Sequence, residues 1–470
     1  ADDSIHHSTT PHYTNFSLWD TYRAKQPLMT LIQPERAGQF VASMLDICDQ
    51  QGDLPVWHLW GNETNCMVGD PAIPVVAAAI VKGLKGFDHQ RAYQAIKQTA
   101  ATLERGKQYR QAYGYIPCNL MNEAVAYDME YALADGAAAN AAKILGYEED
   151  YAHFTHMSHS YRTYFDKQSG FIRGVDDKGH FITPFNPYYA THRADCYCEG
   201  NAWQYTWLVP HDMENYAPMF GSREVCIARL DSLFLAPSAI DGTPSPDISG
   251  LIGQFAHGNE PSHHIPYLYA WTSQPWKTQY WVREVMNKMY RNHIRGLGGN
   301  DDCGQMSAWY LFTAMGFYPV CPGTDQYVLG APYLPYLKLT LEGGKTFEIK
   351  APGVSDTNRY VKSVRLNGKP YTKTYITHAD LVKGGTLEFQ MSDKPNKKRG
   401  KDKADKPYSL TDGENVIIPE PKAGAHKNPE AAIKAVKKAV VKALKELTSI
   451  ETDDLVEGRY NKIRSYGNFY

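Results

Sequence analysis

No apolar run in the sequence approaches the ~18 residues needed to cross a bilayer. No charged segment leads into an apolar one at the start, so the chain is expected to begin as a mature or trimmed product with no membrane partner. Charge imbalance is missing too. Lys and Arg number 49 against 51 Asp and Glu, a formal net charge of −2, which removes any electrostatic case for nucleic acid. Paired Cys-x-x-Cys motifs are absent. Among the eight cysteines only Cys196 and Cys198 stand close, a Cys-x-Cys too small for a zinc site, and buried free thiols are expected instead.

Aromatic residues, by contrast, are abundant: 12% of the 470 residues, with 33 tyrosines and 9 tryptophans. Aromatic faces stack on the apolar faces of pyranose rings, while Tyr hydroxyls and indole N–H groups act as polar handles. The same composition also suits a large core with wet-edged aromatics, which 43% hydrophobic residues would fill.

From Gln33 to about Pro322 the pattern is helical. Pro34 opens one helix at its first position, with Val41, Met44, Leu45 and Cys48 on one face. Asp88 is a plausible N-cap for a helix to Arg105, and Glu123–Leu145 is Ala-rich and closes on Gly146. Further helices are expected over Glu149–Phe165, Ala202–Met219, Ser222–Phe234, His263–Asn292 (interrupted near Pro275) and Gln305–Phe317. The whole is expected to be mainly α, a closed ring of paired helices over residues 1–322 whose loops line a cleft at one end. After Pro322 short strands follow (Tyr327–Val328, Tyr336–Leu341, Thr346–Lys350, Val361–Leu366, Thr386–Met391), with Asn367-Gly368 as a hairpin turn, so 323–412 reads as a small β domain. The basic run Lys394–Lys406 reads as a solvated loop. In the tail, 413–470, Asn428-Pro429 starts a helix with Ile433, Val436, Val440, Leu444 and Leu447 on one face and lysines opposite. Its regularity suggests an idealised helix, natural or engineered, packing on the body.

Five segments concentrate carboxylates, amides, tryptophans and glycines: Phe16–Arg23, Gly61–Met67, Cys198–Tyr205, Gly258–His264 and Gly299–Gln305. A cleft for a polyol needs donors and acceptors on rigid backbone that can come close, which acid, amide and glycine together supply. Each segment alone is as well explained by helix capping. Glycoside hydrolysis needs two carboxyl groups, one protonated to help the leaving oxygen depart and one to activate water. Glu199, between Tyr197 and Trp203, suits the acid because apolar walls raise a carboxyl pKa. Asp301-Asp302 suits the base, with capping of the helix from Gln305 as the rival explanation. Asn259 and Glu260 are hard oxygen donors that fit calcium better than zinc. His263-His264 are adjacent on a helix start and point too far apart to chelate.

In this order, FSLWDTYR, GNETNCMVG, YIPC with NEAV, CEGNAWQYTWLVPHD, GNEPSHHIPYLY, QPWKT and GNDDCGQMSAWYLFTAMGFYPVCPG resemble glycoside hydrolase family 92 over roughly residues 13–410. The resemblance implies a calcium-dependent, inverting exo-α-mannosidase with an (α/α)6 toroid. It implies Glu199 as general acid, Asp302 as general base with Asp301 in support, and calcium near Asn259 and Glu260. Trp19, Asp20, Glu63, His264 and Trp203 would line the sugar subsite, and a glycan would be the substrate in a secreted or periplasmic setting. Family members carry a β-sandwich ahead of the toroid. Only fifteen residues precede Phe16 here, so that domain is expected to be missing or supplied separately. Cys196 stands where a polar or acidic residue is expected, and Asp70-Pro71-Ala72 where Asn-Pro-Gly is expected. The rival expectation is an inactive or redesigned toroid that at most binds carbohydrate.

Overall fold

A computed structural model describes residues 4–8, 10–411 and 429–447. The chain is mainly α, and helix starts and stops follow local chemistry. Pro34 opens Pro34–Gln51, which ends on left-handed Gly52. The Asp88 carboxylate accepts from the N–H groups of Gln90 and Arg91 and caps His89–Ala101. The long helix Ala124–Leu145 is buried over most of its length and closes on Gly146, and Ser222 caps Arg223–Leu235.

Three expected helices are broken. Ala202–Tyr205 is a single turn held by an Asn201–Gln204 capping box, and helix resumes only at Met213–Tyr216, because Pro210 cannot continue the first turn. His263–Asn292 divides at Pro275, as expected, but its first part is only a 3-10 turn, Ile265–Trp271, before the helix Trp276–Met289. Glu149–Phe165 is replaced by Glu148–Met157 and the short Tyr161–Tyr164, after which the chain enters a strand at Phe165. One buried helix, Ala72–Val81, had no amphipathic stripe to announce it: its sequence AIPVVAAAIV is apolar all round.

The five expected strands form, Tyr327–Val328 in a second sheet and the other four in one sheet with the further strand Lys369–Pro370. Tyr336–Thr340, Thr346–Lys350, Gly385–Ser392, Tyr360–Leu366 and Lys369–Pro370 lie in that order in one sheet. Asn367 and Gly368, both at positive φ, turn the hairpin. A second sheet crosses the expected boundary at residue 322, since Phe317–Tyr318 pairs with Gln326–Leu329, which pairs with Tyr375–Thr377. One hydrophobic core runs without a break from Phe16 to Leu410.

Residues 408–411 return to the helical body. Tyr408 donates to Asn140 at 2.5 Å, and Asp212, fully buried, accepts from Ser409, Thr411 and Tyr161. Beside it, burial pushes His211 down to about 4 despite the neighbouring Asp212. The unfolded chain therefore takes up this proton first, near pH 6.5. The contribution of neutral His211 is complete above pH 6.5 and is lost as pH falls from there towards 4, by about 3 kcal/mol. In denaturant melts, His211→Gln is expected to be less stable than the parent at pH 7 but to lose less on going to about pH 4.5; parallel declines would remove His211 as the cause.

The helix Pro429–Leu447 forms as expected. Ile433, Val436, Val440, Val441 and Leu444 are between 43% and 66% exposed. The remainder of 413–470 lies outside the described residues. No helix among the described residues is long and apolar enough to cross a membrane.

Candidate active site

The first element of the site is a turn. Strand Phe16–Ser17 pairs with Trp57–Leu59, which pairs with Asn62–Glu63, and the turn Leu18–Thr21 follows directly. Asp20 on that turn is buried and accepts from the Ser17 hydroxyl. Burial, with Asp302 nearby, pushes its carboxyl up to about 7, against hydrogen bonds from Ser17 and the Trp57 side chain.

Two glycine loops bring the next carboxylates to Asp20. A Cβ on Gly299 would lie 2.6 Å from the Gly258 Cα, and one on Gly258 would lie 2.9 Å from the Gly298 carbonyl oxygen. Backbone therefore touches backbone where these loops meet, a contact only glycine permits. Asn259 then caps the turn Glu260–Ser262 and donates 2.6 Å to the Glu199 carbonyl. As a result Asp20, Glu260 and Asp302 each place a carboxylate oxygen within 4.8 Å of the others, the only such acidic or His/Cys group found among the described residues. Burial, then Asp20 and Asp302, push Glu260 well above its ordinary value, and one of its oxygens, Oε1, is buried without a hydrogen-bond partner. Asp302 is raised as well, mainly by burial and against a hydrogen bond from Glu260.

Asn259 ties Glu199 to this trio, bonding the Glu199 carbonyl and directly preceding Glu260. Glu199 is half-buried and pushed up to about 7 by burial, then by Asp247 and Asp20. Both Glu199 (φ +47) and Asp302 (φ +49) adopt the left-handed conformation that non-glycine residues avoid, and such strain concentrates where side-chain direction matters.

The expected subsite residues divide. Trp19 is buried beside Asp20 under the Arg23 guanidinium, with an unpartnered indole N–H. The Glu63 carboxylate, however, accepts from the N–H groups of Val56, Trp57 and Asn65 and so holds its own hairpin. Asp301 accepts from the N–H and hydroxyl of Ser307, and its carbonyl from Met306 N–H, so capping accounts for its contacts. His264 is bonded to the Trp207 carbonyl at 2.7 Å and is neutral by burial. Trp203 packs edge-on against Phe171. The Asn259 side-chain oxygen already accepts from Glu260 N–H, so Asn259 serves these loops as a strut.

Arg23 and Asp247 were not legible as site residues. Arg23 is buried, donates 2.8 Å to Glu130 and 3.1 Å to the Trp19 carbonyl, and is raised by its anionic surroundings despite burial. Its partner Glu130 sits mid-helix, over a hundred residues away, so no local motif connects them. Arg23→Met strands Glu130 without its cation and is expected to cost about 3–5 kcal/mol, read as a lower melting temperature. An unchanged melt would show that the pair holds nothing together.

Four raised carboxyls, Asp20, Glu199, Glu260 and Asp302, on glycine-built loops suit the cleavage of a glycosidic bond, and the comparisons agree. The chain belongs to glycosyl hydrolase family 92, whose catalytic-domain model matches residues 1–393. It is similar to an uncharacterized secreted glycosidase of Arthroderma benhamiae, 26% identical over 79% of this chain and 51% of that protein. Among solved structures it resembles a family GH92 alpha-mannosidase from Bacteroides thetaiotaomicron in complex with mannoimidazole, with a TM-score of 0.84 and 40% identity over 90% of this chain and 57% of that one. A family GH92 inverting mannosidase of the same organism gives a TM-score of 0.77 and 35% identity over 85% and 56%. The chain thus spans little more than half the length of these relatives. Residues 409–467 match a different family, acetyl co-enzyme A carboxylase carboxyltransferase-like. There the chain is 43% identical over 65 residues to the carboxyl transferase subunit alpha of Clostridium beijerinckii, covering 23% of that protein. The regular lysine-faced helix therefore shares its pattern with natural proteins of that second family.

Proposed function

We propose that this chain is the catalytic part of a secreted or periplasmic exo-α-mannosidase with a toroid of paired helices, removing terminal α-mannosyl residues from glycans with inversion. The observation that supports the reading is Glu199, raised to about 7 by burial and in part by Asp20, which itself belongs to the Asp20–Glu260–Asp302 trio. Glu199 is held protonated near neutral pH and donates its proton to the departing glycosidic oxygen. Asp302 accepts a proton from the water that attacks the anomeric carbon from the other face, so the bond is replaced in one displacement. Asp20 and Trp19 orient the sugar.

The donor set also fits calcium: it is carboxylate oxygen throughout, and the unpartnered Glu260 Oε1 lacks the partner a cation would be. Glu260 and Asp20 would hold the ion, with Asn259 fixing the loop. When bound, calcium supplies a Lewis-acidic anchor for vicinal sugar hydroxyls. The similarity to an alpha-mannosidase and to a secreted glycosidase supports substrate and setting.

The test is release of mannose from an α-mannobiose by the purified chain, in calcium and in EDTA, with the first-formed anomer read by NMR. Calcium-dependent release of the inverted sugar is expected. Mannose binding without release in either condition would replace this reading with a sugar-binding domain that lacks part of its catalytic wall.

A further inference from the structure

Away from the carboxylates, two half-buried thiols meet behind the loop that carries Glu199. An added Cβ on Gly174 would lie 2.5 Å from the Cys196 sulfur and 2.7 Å from the Cys118 sulfur. Both sulfurs thus crowd the same bare backbone position, against each other. Rigid main chain holds both. Cys118 N–H donates 2.8 Å to the Val175 carbonyl, beside Gly174, whose own carbonyl accepts from Ile182 N–H. The Cys196 carbonyl accepts from Val125 and Ala126 N–H groups at the start of the long helix. Cys198, the nearest other cysteine in sequence, is buried with its thiol directed to Glu123.

We propose that Cys118 and Cys196 form an intramolecular disulfide by exchange with a low-molecular-weight disulfide. The two thiols line a cavity of about 440 Å³ together with Asn122, Phe185, Asn186 and Tyr189. Tyr189 is exposed at its rim, which gives a small disulfide a way in. One thiolate attacks a sulfur of the external disulfide, forming a mixed disulfide and expelling one thiol. The second protein thiolate then attacks the protein-side sulfur and expels the other thiol. The external disulfide is reduced to two thiols, the protein dithiol is oxidised to one S–S bond, and the two protein protons leave on the expelled thiols.

The bond joins segments that are far apart in sequence, the approach to the long helix and the stretch ending at Glu199. It removes freedom chiefly from the unfolded chain. The Cys118 thiol is pushed well above its ordinary value by its hydrogen bond with Cys196 and by burial. Exchange is therefore expected to be faster in mildly alkaline than in neutral buffer.

The test treats the full chain with glutathione disulfide, alkylates the remaining thiols with iodoacetamide, and maps the unreduced digest by mass spectrometry. A linked peptide pair containing Cys118 and Cys196 is expected, lighter by two hydrogens than the sum of its parts and lost on dithiothreitol treatment. In Cys118→Ser and Cys196→Ser the surviving partner should carry one glutathione instead. The oxidised parent should melt a few degrees above either variant treated alike. Full alkylation of both cysteines in oxidised, still-folded chain would overturn the proposal. So would stable glutathione on both, or linkage of either to Cys66 or Cys303.

Discussion

Glu199→Gln is expected to lower kcat on an α-mannobiose by about 10²–10⁴-fold with little change in KM or in melting temperature. Glutamine keeps the shape of the side chain but has no proton to give. The backbone at Glu199 is fixed by its left-handed turn and by the Asn259 bond to its carbonyl, so the substitution changes chemistry more than position. A substrate with a good leaving group, such as a nitrophenyl mannoside, needs less help from an acid and should lose much less. Asp302→Asn should instead be slow on both substrates, because attack by water is needed whatever departs. Equal losses on the two substrates in Glu199→Gln would take the acid role away from it.

Calcium is expected to raise the melting temperature of metal-free protein, with stabilisation of about 2.7 kcal/mol at a hundredfold excess over its dissociation constant, and EDTA should abolish both this gain and turnover. The reasoning is electrostatic. Three carboxyl groups with an oxygen each inside 4.8 Å repel one another, and each is raised above its ordinary value. Arg23 is close to this group, but its guanidinium is engaged with Glu130. A hard divalent ion removes the repulsion that protonation otherwise relieves. Glu260→Gln should melt alike with calcium and with EDTA. Parent protein that does so would remove the ion from this site.

Much of this was legible beforehand, for identifiable reasons. Helices with a proline start, a capping acid or a closing glycine stood out, since those signals are local. Ala72–Val81 was missed because a helix buried on every side has no polar face to set its period. The overlong Ala202–Met219 followed apolar spacing through Pro210, which the chain could not. At the site, the acid-bearing loop segments drew attention to Glu199, Asp20, Glu260 and Asp302, but could not separate carboxylates that gather together from those that hold their own loops. Glu63 and Asp301 carry the same motif chemistry, yet both accept from nearby N–H groups. Asp247 and Glu130 act through space across long stretches of chain, which one sequence does not encode locally.

Where Gly258 meets Gly299, two main chains touch with only hydrogens between them. The offset between Glu260 and Asp302 is consequently gauged by peptide groups, which cannot change rotamer. Apart from struts such as Asn259 and caps such as Asp301, side chains in these loops are free to drift over evolutionary time without detuning that offset. An added methyl group at this one junction would act as a shim, parting both loops at once.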